Sequence, residues 1–116
     1  MLLGLHTYSF HLHGMGQNWG GYKLQWAPLS FTNHFSDHRI VFDQYGCRIT
    51  GVATGSGDVP MREAYQIIKA NPNMKRINIE VEFDPGTDGR EEARRREYQA
   101  VVDSIRFTRD ELGVGQ

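Results

Sequence analysis

Three stretches of the chain show a regular pattern of apolar and polar positions. Apolar and polar residues alternate in Ile77–Phe83, and such a two-residue period predicts a strand with one apolar face. Met61–Ile68 has apolar residues at helical spacing, and Glu91–Leu112 repeats that spacing with acidic residues first. Each predicts a helix with one apolar stripe. Gly113 is expected to end the second helix.

The apolar stripe of the second helix is expected to bury the following side chains against a sheet: Tyr98, Val101, Val102, Ile105 and Leu112. The first helix is expected to begin after the glycine-rich turn Thr54–Asp58, with Asp58 as its N-cap and Pro60 in its first turn. Asn71–Asn73 is expected to end it.

The sequence of the N-terminal half predicts strands and one long loop. Leu2–Phe10 is apolar enough for a strand buried on both faces, as in a parallel sheet. His11–Pro28 is glycine-rich without periodicity and predicts a loop, either a binding segment or a displaced piece. Phe31–Phe35 predicts a short strand, and Arg39–Asp43 with Cys47–Ala53 predicts a hairpin. Strands that alternate with helices in the last two-thirds indicate βα units and a largely parallel sheet.

Length and charge narrow the class of protein. The chain has 116 residues, which suits a single domain, and it is 39% hydrophobic and 23% charged, as expected of a globular core. Its net charge of -1 argues against a nucleic-acid partner. The single Cys47 excludes an internal disulfide, and no stretch has the length of a membrane span or of a signal peptide. A cytoplasmic protein is expected.

Residues that could carry chemistry lie at predicted strand ends or on the polar face of a strand: His11, His13, His34, His38, Asp37, Glu80 and Glu82. Imidazole and carboxylate together suit a divalent transition metal, which would polarise a sugar hydroxyl for proton removal. Each residue also has a plainer interpretation. His34 could cap a strand, Glu80 and Glu82 could be solvated carboxylates of an edge strand, and Asp37 could belong to a charged turn.

Three further segments have two interpretations each. The aromatic residues Trp19, Tyr22 and Trp26 either stack on a substrate or cover a small core. Gly55–Gly57 could hold a phosphate on its backbone N–H groups, although a single short glycine turn is a weak signal. Arg94–Arg96 lies among acidic residues, which indicates a solvated helix face.

Three ordered pieces of the chain resemble the xylose-isomerase-like TIM barrels, a group of sugar phosphate isomerases and epimerases. Leu3–Gly14 resembles the first strand and loop of such a barrel. Thr32–Arg39 and the glycines of Gly51–Asp58 resemble the seventh strand and its loop, and Ile77–Glu80 resembles the eighth strand. The resemblance covers nearly the whole chain, and strands two to six have no counterpart.

The resemblance implies an α/β fold, a partial (β/α)₈ TIM-barrel-like fragment with a few parallel strands, a small hairpin and two helices. It divides the single incomplete domain into residues 1–28, the first strand and loop, and residues 29–116, the C-terminal βα units. It also implies a divalent metal, Mn, Mg, Co or Zn, with His34 and Glu80 as two of its four ligands. The other two ligands have no counterpart, because a barrel typically needs about 250 residues.

The function that follows from the resemblance is metal-assisted proton transfer on a sugar or sugar phosphate, as in an isomerase or epimerase. The truncated chain could be inactive. Glu80 and His11 are then the expected catalytic residues, and the expected substrate-binding residues are His13, Trp19, Asp37 and Arg39. A lyase of the same family that cleaves C-glycosides is one alternative. A non-catalytic fragment that binds carbohydrate or assembles through its open sheet edges is the other.

Overall fold

An antiparallel hairpin forms the only sheet in the described part of the chain. The structure, a computed structural model, describes residues 31–83 and 85–116. β1 (Asp37–Asp43) pairs with β2 (Gly46–Val52), and Ile40 lies opposite Ile49. The turn closes because Gly46 adopts a φ of 126°, a conformation that favours glycine. The hairpin predicted from the sequence is therefore confirmed.

The first helix, α1 (Met61–Lys69), supplies most of the core. Its buried side chains Met61, Ala64, Tyr65 and Ile68 pack with Phe35, as their spacing predicts. Its start differs from the prediction. Pro60 occupies the N-cap position without a side-chain cap, because the carboxylate of Asp58 instead accepts the backbone N–H of Ile40 at 2.7 Å.

The second helix, α2 (Arg90–Arg106), continues into a π-helical turn at Phe107–Glu111. The helix is confirmed, but three of the five residues assigned to its core face are exposed, whereas Val102 and Leu112 are half-buried as expected. Tyr98 is 72% exposed, and Val101 and Ile105 are also exposed. The following residues of α2 and its π-helical turn, none of them assigned to the core, are also buried or half-buried: Ala100, Ser104, Phe107 and Thr108.

Ser104 explains why α2 buries this other face. Its Oγ accepts the backbone N–H of Thr54 at 2.8 Å, and a buried N–H without an acceptor would cost free energy. The Cα of Gly55 also lies so close to Phe107 that an added Cβ would stand 2.3 Å from the ring. The loop after the hairpin therefore sets the rotation of α2, and Gly113, at a φ of 72°, ends the turn as predicted.

The predicted parallel sheet of a TIM-barrel fragment is wrong. The paired strands are antiparallel, and Phe31–Phe35 and Ile77–Phe83 meet in one isolated parallel bridge, Phe35 with Ile79, rather than forming strands. Asn33 explains the short pairing. Its side chain bonds the carbonyl of Arg76 at 2.7 Å and the N–H of Asn78 at 3.2 Å, and so occupies backbone groups that a longer ladder would need.

Several predictions lie outside the described residues, among them the strand Leu2–Phe10 and the loop His11–Pro28. The division at residue 28 likewise stays a prediction. Within residues 31–83 and 85–116, no helix is both long and apolar enough to cross a membrane. Open sheet edges were expected to allow assembly, and part of the outer edge of β1 is occupied within the chain. The carboxylate of Asp58 accepts the backbone N–H of Ile40, and the backbone N–H of Asp58 donates to the carbonyl of His38.

Candidate functional site

The two residues predicted to share a site, His34 and Glu80, are in direct contact. His34 Nδ1 lies 2.9 Å from Glu80 Oε2, although the two residues are 46 positions apart. The parallel bridge between Phe35 and Ile79 brings the two segments together, and in this register His34 and Glu80 are diagonal neighbours, one on each side of the bridge. The side chains are 52% and 40% exposed, so a small molecule can reach the pair from solvent.

A second pair of the same type lies further along the same two segments. His38 Nε2 approaches Glu82 Oε2 at 3.0 Å. Gly51 in β2 makes room for this segment, because an added Cβ would stand 1.9 Å from the carbonyl oxygen of Glu82. Two imidazole–carboxylate pairs therefore connect residues 34–38 to residues 80–82. Both glutamates are also solvated, because their side chains are 40% and 56% exposed.

Asp37 was expected to bind substrate, and its surroundings indicate a structural role. Its side chain is 1% exposed. The carboxylate accepts four backbone N–H groups, from His38 and Val59 on Oδ1 and from Gly55 and Gly57 on Oδ2, at 2.8 to 3.2 Å. A carboxylate with this many donors is well compensated for its burial.

The same hydrogen bonds argue against the interpretation that the backbone N–H groups of Gly55–Gly57 bind a phosphate. The N–H groups of Gly55 and Gly57 point at Asp37, and that of Ser56 donates to the carbonyl of Ala53 at 3.0 Å. All three are thus occupied within the chain. Arg39, the other expected substrate-binding residue described, donates from its guanidinium to the carbonyl of Ser56.

The metal prediction can be tested against the donors present. Imidazole nitrogen and carboxylate oxygen are suitable ligands for the ions considered, and His34 and Glu80 would supply two of them. Residues 31–83 and 85–116 contain no group of three His, Cys, Asp or Glu side chains that could hold an ion. Because catalytic zinc sites usually have three protein ligands, this donor set alone is incomplete.

The remaining predicted site residues, His11, His13 and Trp19, lie outside the described residues and stay predictions. Sequence reasoning missed the role of Asn33 and Asn78, whose side chains join the two bridged segments. Asparagine next to a predicted strand is a usable signal, because its amide readily bonds neighbouring backbone.

Comparison with known proteins yields no relative. No protein-family model, no curated protein and no solved structure matches the chain. The resemblance to the xylose-isomerase-like barrels therefore stays a prediction.

Proposed function

We propose that the chain transfers a proton on a carbohydrate, as an isomerase or epimerase does, with His34 and Glu80 as the reacting pair. The observation that carries the proposal is the 2.9 Å contact between an imidazole and a carboxylate that are both open to solvent. General acid–base catalysis needs a titratable group within reach of a substrate and a partner that fixes its orientation.

The pair divides these tasks between its members. When Nδ1 carries a proton and donates it to Glu80, the basic nitrogen of His34 is Nε2. That nitrogen takes a proton from the carbon beside a sugar carbonyl, and the C–H electron pair forms an enediolate. The imidazolium then returns the proton to the neighbouring carbon while the substrate's hydroxyl proton passes to its former carbonyl oxygen, which isomerises the sugar. Epimerisation would instead take its proton from solvent water on the opposite face of the enediolate. Glu80 stabilises the imidazolium while it exists.

A divalent ion, when bound, would polarise the carbonyl oxygen and so acidify the adjacent C–H bond. His34 and Glu80 are the described residues that would hold it. Because they form only part of a ligand set, the proton transfer above is derived from the two side chains alone.

The test is exchange of substrate hydrogen with D₂O, followed by proton NMR. Xylulose, fructose and their phosphates are incubated with the protein, with and without added Mg²⁺ or Zn²⁺. We expect deuterium at the carbon beside the carbonyl, and a loss of roughly 100-fold in the exchange rate for His34→Ala and for Glu80→Gln.

The second pair provides the matched control. His38→Ala and Glu82→Gln remove the same chemical groups from the same two segments, and they should retain most of the exchange. The proposal is wrong if no sugar exchanges, or if the His34 and Glu80 variants exchange as fast as the wild type.

The non-catalytic alternative is favoured by one observation. The hairpin exposes large apolar side chains at its tip, Phe42 at 75% and Tyr45 at 89%, as a surface used for association does. Absence of exchange combined with concentration-dependent self-association would favour an assembly role over catalysis. Lyase activity would instead release the aglycone and an unsaturated keto sugar, by elimination, from a C-glycoside whose sugar is already oxidised.

A further inference from the structure

An open cleft of about 330 Å³ lies beside the two bridged segments, at the end away from β1. Its lining contains one aromatic ring, two cations and three uncharged polar side chains: Phe31, Thr32, Asn73, Lys75, Arg76 and Asn78. No carboxylate is among these residues. The volume is at the lower end of the range of small-molecule sites.

Two cations that are neighbours in sequence, Lys75 and Arg76, line the cleft. Within the residues that the structure describes, neither pairs with a carboxylate. Adjacent like charges repel each other, so an anion placed between them would be stabilised by both.

Hydrogen bonds hold the backbone around the cleft in place. Asn33 bonds the carbonyl of Arg76 and the N–H of Asn78, as described above. The side chain of Asn71 accepts the N–H of Asn73 at 3.0 Å, and its carbonyl accepts the N–H of Met74 at 3.1 Å. A backbone fixed in this way loses little entropy when a ligand binds.

We propose that this cleft binds a phosphate monoester. The phosphate lies at Lys75 and Arg76, because a guanidinium can donate two parallel hydrogen bonds to phosphate oxygens. Thr32 accepts a hydrogen bond from Asn78 Nδ2 at 3.2 Å, and its own O–H donates to a third oxygen. The organic part of the ligand lies against Phe31, whose side chain is half-exposed.

The site is distinct from the His34–Glu80 pair. The contact between Thr32 and Asn78 lies two residues before that pair on both segments. The proposal uses neither His34 nor Glu80, so it stands or falls separately from the proposed proton transfer.

Titration calorimetry with inorganic phosphate and with phenyl phosphate tests the proposal. We expect both to bind the wild type, phenyl phosphate more tightly. The double variant Lys75→Ala/Arg76→Ala should bind both probes at least about tenfold more weakly, because two charged contacts are lost. Phe31→Ala should lower the affinity for phenyl phosphate to that for inorganic phosphate.

Arg90→Ala/Arg94→Ala is the matched control, since it removes two exposed cations from α2 and changes the net charge equally. It should bind both probes as the wild type does, and circular dichroism checks that each variant is folded. The proposal is overturned if the wild type binds neither probe, or if both double variants weaken binding equally. Equal affinity for both probes in the wild type would overturn the assignment of an organic group to Phe31.

Discussion

Asp37 shows how one buried carboxylate organises a loop. Its two oxygens accept N–H groups from residues 38, 55, 57 and 59, so the hairpin and the loop that precedes α1 share a single acceptor. Gly57 must remain small here, because an added Cβ would lie 2.3 Å from Asp37 Oδ1. His34 and His38 flank this residue in sequence. Asp37 therefore contributes to the site by fixing the backbone that carries both histidines.

Replacing Asp37 with Asn should destabilise the protein by about 3 kcal/mol. The amide NH₂ would face backbone donors that need an acceptor, and hydrogen bonds to a charged group are worth about 1.5–3 kcal/mol each. Urea unfolding followed by circular dichroism measures the change. Asp43→Asn is the control, because Asp43 is exposed and its carboxylate accepts the backbone N–H of Tyr45 at 2.8 Å. Equal stabilities of the two variants would contradict the assigned role.

At the scale of elements, α2 is tied to the rest of the chain by a few polar contacts instead of a broad apolar stripe. Ser104 bonds Thr54, and Thr108 Oγ1 donates to the carbonyl of Ser104 at 2.7 Å. Much of the helix surface is charged, and Arg95 donates twice to Glu92 in its first turn, at 2.6 and 3.0 Å. Local ion pairs and the negative charge at the helix start therefore help to hold this element together.

Acid should weaken the first turn of α2. The hydrogen bond from Arg95 lowers the pKa of Glu92 below its usual value of 4.5. A carboxyl with a depressed pKa in the folded state stabilises the protein above the unfolded pKa, and that contribution disappears as the pH falls through the folded pKa. We therefore expect wild type to exceed Glu92→Gln in thermal midpoint at pH 6.

The thermal midpoints of the same two proteins should converge as the pH falls below 4.5 and through the folded-state pKa of Glu92. Because the side chain lies at the surface, the difference at pH 6 should be small and should shrink in 1 M salt. A difference that stays constant from pH 6 to pH 3 would show that charge at this position has no part in it.

At the scale of the whole molecule, the site exists because separate segments approach closely. Residues 80–82 lie beside both residue 34 and the end of β2, and the approach to β2 depends on the absence of a side chain at Gly51. The core of Phe35, α1 and the π-helical turn holds these segments from the other side. The two imidazole–carboxylate pairs are therefore a product of packing.

Gly51→Ala should separate the segments. The added Cβ would collide with the Glu82 carbonyl, and overpacking of this kind costs about 1–3 kcal/mol. We expect a lower free energy of unfolding, measured in urea, and disturbed NMR signals of the imidazole protons of His34 and His38. Gly89→Ala is the control, since its φ is -65° and an added Cβ meets no atom within 4 Å. Unchanged histidine signals in the Gly51 variant would refute this explanation.

Much of the local structure follows from the sequence alone. The hairpin, both helices and the glycine that ends the second were predictable, because turn residues and helical spacing act within a few positions. The resemblance to the xylose-isomerase-like barrels brought His34 and Glu80 together as ligands of one metal ion. Their side chains are in contact, and the shared metal ion stays a prediction.

Other features depend on long-range competition for hydrogen bonds. Asn33 takes backbone groups from residues more than 40 positions away, which limits the parallel pairing to one bridge, and Thr54 selects the buried face of α2 through Ser104. Periodicity along the chain does not encode which distant donor meets which acceptor. The limit of the parallel pairing to one bridge, the burial of Asp37 and the cleft at Lys75 and Arg76 were therefore decided by tertiary packing.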